Sequence, residues 1–441
     1  MNSKRKTGLS FVVMMVSLVL NVIHTNAQDW PQFLGPDRNS ISPQKGLLRS
    51  WPEKGPEVLW SIEVGRGFGG PVVKNGLVYL LDRDDEVGDM MRCLSLQTGE
   101  ERWRFTYESP GEVPYPGSRS IPIVDDRHVY SVGPNGDLYC VDINTHQMVW
   151  KKNVWSDFGG AKVPMWGVAQ NPLIYGDLLI TAARAQHQAG GGFVAYKVVA
   201  YNKTTGNLVW ETSSLGNETY SSPTVVKVHG ENHVVFITSQ TNQFTNRGAP
   251  EIKGNVAGMD PRTGKILWQY SDWGCIISVP CAVDAGNNRM LITGGYDQGT
   301  TMIQINKKAD GTFETTEIFK TLEFEDQTKP PLLHNGYFYG MFRTNRRNEG
   351  LICMNMEGKV MWKTVRNPAF DRGSLILADG LFLATDGMKA LYLIEPDPTA
   401  FKPVSKVELL EGSLNWAPLA LADGKLLIRD QGKMFCLKVA Q

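Results

Sequence analysis

The sequence predicts an all-β protein, a closed β-propeller of eight blades, with seven as the alternative count. Three observations predict it. A unit of short strands that ends in tryptophan recurs along the chain, glycine reaches 45 of 441 residues, and aromatic residues reach 10%. Abundant glycine and aromatic residues favour many turns and short packed strands over long helices.

The recurring unit is clearest in residues 93–103, CLSLQTGEERW. Near-copies begin at Cys140, Ala200, Gly258 and Cys353, and the closing residues are spaced by 43 to 60 positions. Each unit reads as a first strand, a polar-Gly turn, a second and a third strand, a Thr-Gly-type turn and a fourth strand. Four short antiparallel strands at such a period are typical of one propeller blade.

This geometry predicts which residues form the outer turns and which close each unit. A tight turn between antiparallel strands needs positive φ, which Gly99, Gly206, Gly264 and Gly358 supply, whereas His146 in the second copy predicts a strained or altered turn. Each closing aromatic residue is expected to bury against the turn of the next unit. The closing tryptophans are Trp60, Trp103, Trp150, Trp210, Trp268 and Trp362, with Phe319 and a position near Leu409 in two weaker copies.

Full units end near residues 103, 150, 210, 268, 320, 362 and 410, and residues 413–439 have length for only three strands. Residues 57–60, which end on Trp60, are predicted to supply the missing fourth strand. This pairing would close the ring and remove its exposed edges. Seven blades stay the alternative because the fifth and seventh copies lack the closing tryptophan.

The N-terminal residues have the three-part layout of a secretory signal peptide: Lys4, Arg5 and Lys6, an apolar run at 9–23, and small residues at 25–27. The run is shorter than the roughly 20 residues that span a bilayer. The predicted organisation is a signal peptide at 1–27, an N-terminal extension at 28–56 and one propeller domain at 57–441. We expect a secreted or periplasmic monomer without a transmembrane segment after cleavage. The balanced charge and the lack of a basic stripe exclude a nucleic-acid partner.

Six cysteines in an exported chain raise the question of disulfides. Cys93, Cys140, Cys353 and Cys436 all occupy a position where other copies carry Ala or Gly. Such a position is small and buried, and cysteine serves there as a compact hydrophobic residue. The sequence therefore predicts free thiols.

Candidate site residues come from the positions just before each first strand, because the first strands line the central channel. The two resulting rows contain Arg119, Lys329 and Arg372 together with Tyr220 and Trp416, and Trp166 lies close in sequence to one of them. Neither row contains a carboxylate or a histidine. Cations and aromatic faces suit a planar anion or a sugar, since guanidinium groups bind carboxylates and aromatic rings stack on flat rings.

One alternative to a binding role stays open for these residues. The cations could simply fill the channel and pair with acids such as Asp371 or Glu325. No metal site is predicted, because His187 and His233 have no spaced partner and are interpreted as ordinary surface histidines. Two insertions, residues 183–192 and 239–250, fall between second and third strands, where loops on a rigid scaffold often carry function.

The repeat resembles the pyrroloquinoline quinone (PQQ) repeat of quinoprotein alcohol dehydrogenases and of the bacterial outer-membrane assembly propeller. The resemblance is clearest in residues 258–268, GMDPRTGKILW, and covers about residues 57–439. Residues 29–39 and 47–52 also resemble the leader of secreted bacterial propellers described as quinone-binding-like. A resemblance of this kind implies the fold far better than an activity.

Two functions are weighed on this basis. The first is a non-catalytic binding or scaffold module for a protein or a glycan, which needs no cofactor. The alternative is a PQQ-dependent dehydrogenase that oxidises an alcohol or sugar hydroxyl, with PQQ and Ca²⁺ as cofactors and Asp371 as the candidate base. The resemblance implies an adjacent Cys-Cys pair beside such a cofactor, and the chain has none. A hydrolase or lyase would need carboxylates or histidines facing the channel, which the two rows lack.

Overall fold

The computed structural model describes residues 28–113, 115, 117–186, 195–244, 247–248, 250–343 and 347–441. The predicted signal peptide and His187 lie outside the described residues. Eight antiparallel four-stranded sheets form a ring, so the predicted eight-bladed propeller is confirmed over the alternative of seven.

The blades are numbered along the chain, and their strands are given from the channel outward. Blades 1 and 2 contain Val72–Lys74, Leu77–Asp84, Gly88–Ser95 and Glu101–Thr106, then Ile123–Val124, His128–Val132, Asp137–Asp142 and Met148–Asn153. Blades 3 and 4 contain Leu173–Tyr175, Leu178–Ala185, Ala195–Asn202 and Leu208–Glu211, then Thr224–Val228, Glu231–Ile237, Gly254–Met259 and Ile266–Trp273. Blades 5 and 6 contain Val283–Gly286, Arg289–Gly294, Gly299–Lys307 and Phe313–Thr321, then Leu332–His334, Tyr337–Arg343, Asn348–Asn355 and Val360–Lys363.

Blades 7 and 8 complete the ring. They contain Leu375–Ala378, Leu381–Thr385, Ala390–Glu395 and Lys402–Glu408, then Ala420–Ala422, Lys425–Arg429, Lys433–Lys438 and, as outer strand, Glu57–Glu63. Two-residue strands at Ile41–Ser42 and Gly216–Asn217 and a 3₁₀ turn at Ser156–Phe158 are added to this frame. Within the described part of the chain, no helix has the length and apolar character needed to cross a membrane.

The ring closes between the two ends of the chain. Glu57–Glu63 pairs antiparallel with Lys433–Lys438, and Trp60 lies opposite Cys436 in this register. The predicted closing strand is therefore confirmed, three residues longer than the sequence indicated. Pairing here leaves no blade with an unfinished edge.

Strand alternation gives the ring two distinct faces. The connections between blades and the loops between second and third strands lie on one face, which we name the cavity face. The turns between first and second strands and between third and fourth strands lie on the other, the turn face. First strands of neighbouring blades contact each other around the axis.

Tryptophans at the ends of the outer strands join neighbouring blades. Trp60, Trp150, Trp210 and Trp362 each donate the indole N–H to a backbone carbonyl in the next blade's outer turn. The acceptors are Leu96 at 2.9 Å, Lys203 at 3.0 Å, Pro261 at 3.2 Å and Asp397 at 2.8 Å. Each indole therefore provides both buried area and a hydrogen bond at an interface between blades.

The outer turns have the backbone that this packing requires. Gly99, Gly206, Gly264 and Gly358 have φ between 70° and 80°. A Cβ atom on Gly206 would lie 2.7 Å from the ring of Trp150, so the turn needs glycine for space as well as for φ. His146 also has positive φ, 61°, and its ring stacks on Trp103 at 5.0 Å.

Blades 4 and 7 depart from this pattern in ways that correct two predictions. Trp268 donates to Nδ1 of His233 in its own blade at 3.0 Å. His233 is only 1% exposed and packs edge-on against Phe313 of blade 5, so its interpretation as a surface histidine was wrong. In blade 7 the outer strand ends at Glu408, and Trp51 of the extension donates its backbone N–H to Ser405 within it. The prediction of a closing residue near Leu409 was therefore also wrong.

Four of the six cysteines fill small buried positions opposite the closing tryptophans. Cys93 lies opposite Trp103 and Cys140 opposite Trp150 in the strand register. All six cysteines are buried and free, as predicted. Burial raises the pKa of Cys93 and of Cys140 to about 12, which keeps these thiols protonated and unreactive.

The N-terminal extension crosses the channel at the turn face. Trp30 bridges to Val73 of blade 1, and Ile41–Ser42 pairs in parallel with the first strand of blade 7. Between them the buried guanidinium of Arg38 donates to the carbonyls of Pro172 at 2.9 Å and Pro223 at 3.2 Å, in front of blades 3 and 4. The extension thus binds to first-strand segments around most of the ring and closes this end of the channel.

The packing of tryptophan on glycine can be tested at one turn. Gly206→Ala should lower the free energy of unfolding by about 2–4 kcal/mol, because it adds a clash with Trp150 to the cost of positive φ. Gly176→Ala is the matched control: its φ is also positive, at 57°, but no atom lies within 4 Å of a new Cβ. The control should cost about 1 kcal/mol. Equal losses in urea denaturation would contradict the packing described for Trp150.

Candidate functional site

A large cavity lies on the channel axis and opens to the cavity face. Its volume is about 770 Å³, within the usual range for a small-molecule site. All six residues that the sequence singled out line it: Arg119, Lys329, Arg372, Tyr220, Trp416 and Trp166.

Chain topology explains why these residues meet. Arg119, Tyr220, Lys329, Arg372 and Trp416 each lie in the segment that leads into a first strand. Because first strands of all blades converge on the axis, the residues before them share one space. Trp166 is the exception, since it comes from the longer connection between blades 2 and 3.

Lys329 is held by backbone carbonyls. Its ammonium donates to the carbonyl of Trp416 at 2.7 Å and to that of Arg372 at 3.1 Å. Burial lowers the pKa of Lys329 to about 8, against the opposing effect of Asp326. The carbonyls orient this cation without cancelling its charge.

Arg119 is oriented in a similar way. Its guanidinium donates to the carbonyls of Tyr115 at 2.6 Å and Gly117 at 3.2 Å. Burial lowers the pKa of Arg119 to about 10, so the group stays charged at neutral pH. Both of these carbonyl acceptors are neutral.

Arg372 differs because a carboxylate accompanies it. Its guanidinium donates to Asp371 at 2.9 Å and to the Gln327 side chain at 2.8 Å, and it lies 4.8 Å from the ring centre of Trp416. The expected pairing with Asp371 is therefore present. Glu325, the other acid expected to pair with these cations, instead accepts the backbone N–H of Asp297 at 3.3 Å.

Aromatic residues form two clusters on opposite sides of the cavity. Phe68 packs against Trp416 at 5.4 Å and Tyr115 at 6.2 Å, where blades 8 and 1 meet. Trp166 packs against Tyr220 at 5.3 Å. Since Tyr220 leads into blade 4 and Trp416 into blade 8, the ring places them half a turn apart.

A buried acid supports the second cluster. The hydroxyl of Tyr220 donates to Glu218 at 2.5 Å and accepts the backbone N–H of Trp166 at 3.5 Å. Burial raises the pKa of both Glu218 and Tyr220. The shared hydrogen bonds fix the phenol ring, so that it is presented to the cavity in one orientation.

Several lining residues were missed by sequence reasoning. They are Asn242 and Phe244 from the insertion of blade 4, Tyr296 and Asp297 from the matching loop of blade 5, and Phe33 from the extension. Asp297 gives the cavity a carboxylate that neither sequence row contained. The insertion at 239–250 was a usable signal for the first pair, whereas nothing local in the sequence indicates that the extension enters the channel.

Phe33 closes the bottom of the cavity. It lines the cavity while its neighbours Trp30 and Pro31 bond to blades 1 and 2 near the turn face. The guanidinium of Arg38 lies 5.8 Å from the Phe33 ring. A ligand can therefore enter from the cavity face only.

The described residues do not fit the Ca²⁺ ion that a quinoprotein dehydrogenase would hold beside its quinone. Among the described residues there is no group of three or more His, Cys, Asp or Glu side chains that could hold a metal ion. Asp297 lines the cavity, and the carboxylate of Asp371 beside it is bonded to Arg372. A Ca²⁺ site would need several oxygen ligands in one place.

In repeat and fold the chain is similar to PQQ-like repeat propellers. The family profile described as outer membrane protein assembly factor BamB matches residues 88–272, from the third strand of blade 1 to the fourth strand of blade 4. A search of curated protein sequences found no significant match.

Solved structures extend the likeness to almost the whole chain. A europium-containing methanol dehydrogenase is 15% identical to this chain and superposes with a TM-score of 0.62. The alignment covers 92% of this chain and 90% of the dehydrogenase chain. The quinohemoprotein alcohol dehydrogenase from Comamonas testosteroni is 11% identical with a TM-score of 0.62, covering 94% and 81%. The computationally designed Ika8 protein is 11% identical with a TM-score of 0.56, covering 87% and 100%. At such identities the likeness shows the fold alone.

The environment of Lys329 can be tested through stability. Its pKa is about 8 in the folded chain, below the ordinary value of 10.5, so the unfolded state binds more protons between these pH values. Stability from this side chain should therefore rise with pH, by up to about 1.4 kcal/mol per unit. The free energy of unfolding of the wild type minus that of Lys329→Met should rise between pH 8 and pH 10. A constant difference would contradict the buried position of the ammonium.

Proposed function

We propose that this chain is an exported, non-catalytic binding protein whose central cavity binds a small anionic ligand that contains rings. The observation that carries the proposal is the joint placement, in one cavity, of cations held by neutral carbonyls and two aromatic clusters. Export rests on the predicted signal peptide.

Charge favours an anion. The cavity is lined by three cations, Arg119, Lys329 and Arg372, and by one acid, Asp297, while Asp371 pairs with Arg372 beside the lining. The lining side chains therefore carry a net positive charge. In a cavity partly shielded from water, Coulomb attraction between a ligand carboxylate and a fixed guanidinium is stronger than at an open surface.

The aromatic side chains of the cavity favour a ligand that contains rings. Tryptophan and tyrosine bury a large apolar area and lose little conformational entropy when a ligand binds, because packing already fixes their rings. Tyr220 is fixed by Glu218, and Trp416 lies between Phe68 and Arg372. The site is thus organised before a ligand arrives.

The dehydrogenase alternative gains no specific support from the site. Two structural neighbours carry that activity in their names, but at 15% and 11% identity they support the fold only. The chain lacks an adjacent Cys-Cys pair, and the described residues lack a ligand set for Ca²⁺. Binding without turnover is the function that requires only the groups described at the cavity.

Calorimetric titration of the mature chain, residues 28–441, tests the proposal. The probes are benzene-1,3,5-tricarboxylate and trigalacturonate, which share carboxylates but differ in ring type. At least one is expected to bind with a dissociation constant below about 1 mM, and Arg119→Gln should weaken binding about tenfold or more by removing a charged hydrogen-bond donor.

The matched control is Arg127→Gln, which removes a guanidinium from an exposed turn on the turn face, where it pairs with Asp142. This variant should bind like the wild type. Absence of binding to both probes, or equal losses in the two variants, would overturn the proposed function.

A further inference from the structure

We propose that the ligand is the end of an acidic oligosaccharide, with sugar rings on the two aromatic clusters and carboxylates directed to Arg119 and Lys329. This inference rests on the proposed function and names its ligand class. It follows from the shape of the aromatic surfaces, from the polar lining and from the closed floor.

The aromatic surfaces do not form a slot for one flat molecule. Phe68 and Trp416 are tilted by 35°, and Trp166 and Tyr220 by 55°. The two clusters also lie on opposite sides of the ring. A single planar ring binds best between parallel faces, whereas linked sugar rings can rest separately on two tilted ones.

The polar lining suits hydroxyl groups. Asn171, Ser222 and Asn242 give the lining amide and hydroxyl groups, although Asn171 and Ser222 already bond to each other at 3.1 Å. A ligand rich in hydroxyls can both donate to and accept from such side chains. An aromatic polycarboxylate in its ionised form only accepts hydrogen bonds.

The closed floor selects a chain end. Phe33 and the extension block the turn face, so a polysaccharide cannot pass through the ring. A volume of about 770 Å³ accommodates a few sugar rings rather than one. A longer chain would therefore insert its terminal residues and leave the rest in solvent.

Binding of four probes to the mature chain, measured by calorimetry, tests the inference. They are trigalacturonate, trimannuronate, fully methyl-esterified trigalacturonate and benzene-1,3,5-tricarboxylate. At least one free uronate trisaccharide should bind ten times or more tighter than both the uncharged ester and the aromatic acid. With the longer polymer of that uronate, the stoichiometry should follow the number of chain ends.

Trp166→Ala should weaken binding of the trisaccharide about tenfold, and Trp166→Phe should restore most of it, because a ring face is restored. Circular dichroism and the thermal midpoint of each variant show whether it is folded. Phe33→Ala tests the closed end of the cavity independently. It should weaken binding of the trisaccharide, and each protein should still bind one trisaccharide.

The outcomes separate the two proposals. Tighter binding of the aromatic acid than of both free trisaccharides, or many proteins bound along each polymer chain, overturns the oligosaccharide inference and leaves the proposed function standing. Equal binding of the charged and esterified trisaccharides overturns the role of the carboxylates. Binding of none of the four probes overturns the proposed function itself.

Discussion

Ring closure is the constraint on which the other features depend. Each blade is a small twisted sheet that cannot bury its faces alone, and it becomes stable only between two neighbours. Pairing of Glu57–Glu63 with Lys433–Lys438 gives the last blade its fourth strand and the ring its last interface. Only in a closed ring do eight first strands converge, and only then do the side chains of residues as distant in sequence as Phe68 and Trp416 pack against each other.

The N-terminal extension converts a channel into a cavity. An open propeller leaves a passage along its axis, but here Arg38 and Ile41–Ser42 bond to first-strand segments and hold Phe33 beneath the site. Buried bonds from one guanidinium to two carbonyls on different blades fix the extension more firmly than apolar contact alone, because either carbonyl would otherwise stay unpaired. The same segment therefore contributes to stability and to the shape of the site.

Sequence reasoning predicted the fold well and the site in part, for physical reasons. Repeats are local patterns, so the count of eight, the glycine turns and the closing strand could all be read from spacing. Residues before each first strand could be placed at the axis by topology, which is how Arg119 and Lys329 were found. Phe33 and Asp297 could not be found this way, because their positions depend on the path of an extension and a loop that follow no repeat. His233 was misjudged for a related reason: only the packing of blade 4 against blade 5 shows that it is buried.

Anomalous diffraction from crystals of the mature chain soaked in bromide would test the central claim most directly, that the axial cavity is a preformed anion site. Bromide peaks are expected inside the cavity, within about 4 Å of the Arg119 guanidinium or the Lys329 ammonium. Peaks confined to the outer surface of the ring, with none in the cavity, would contradict the account.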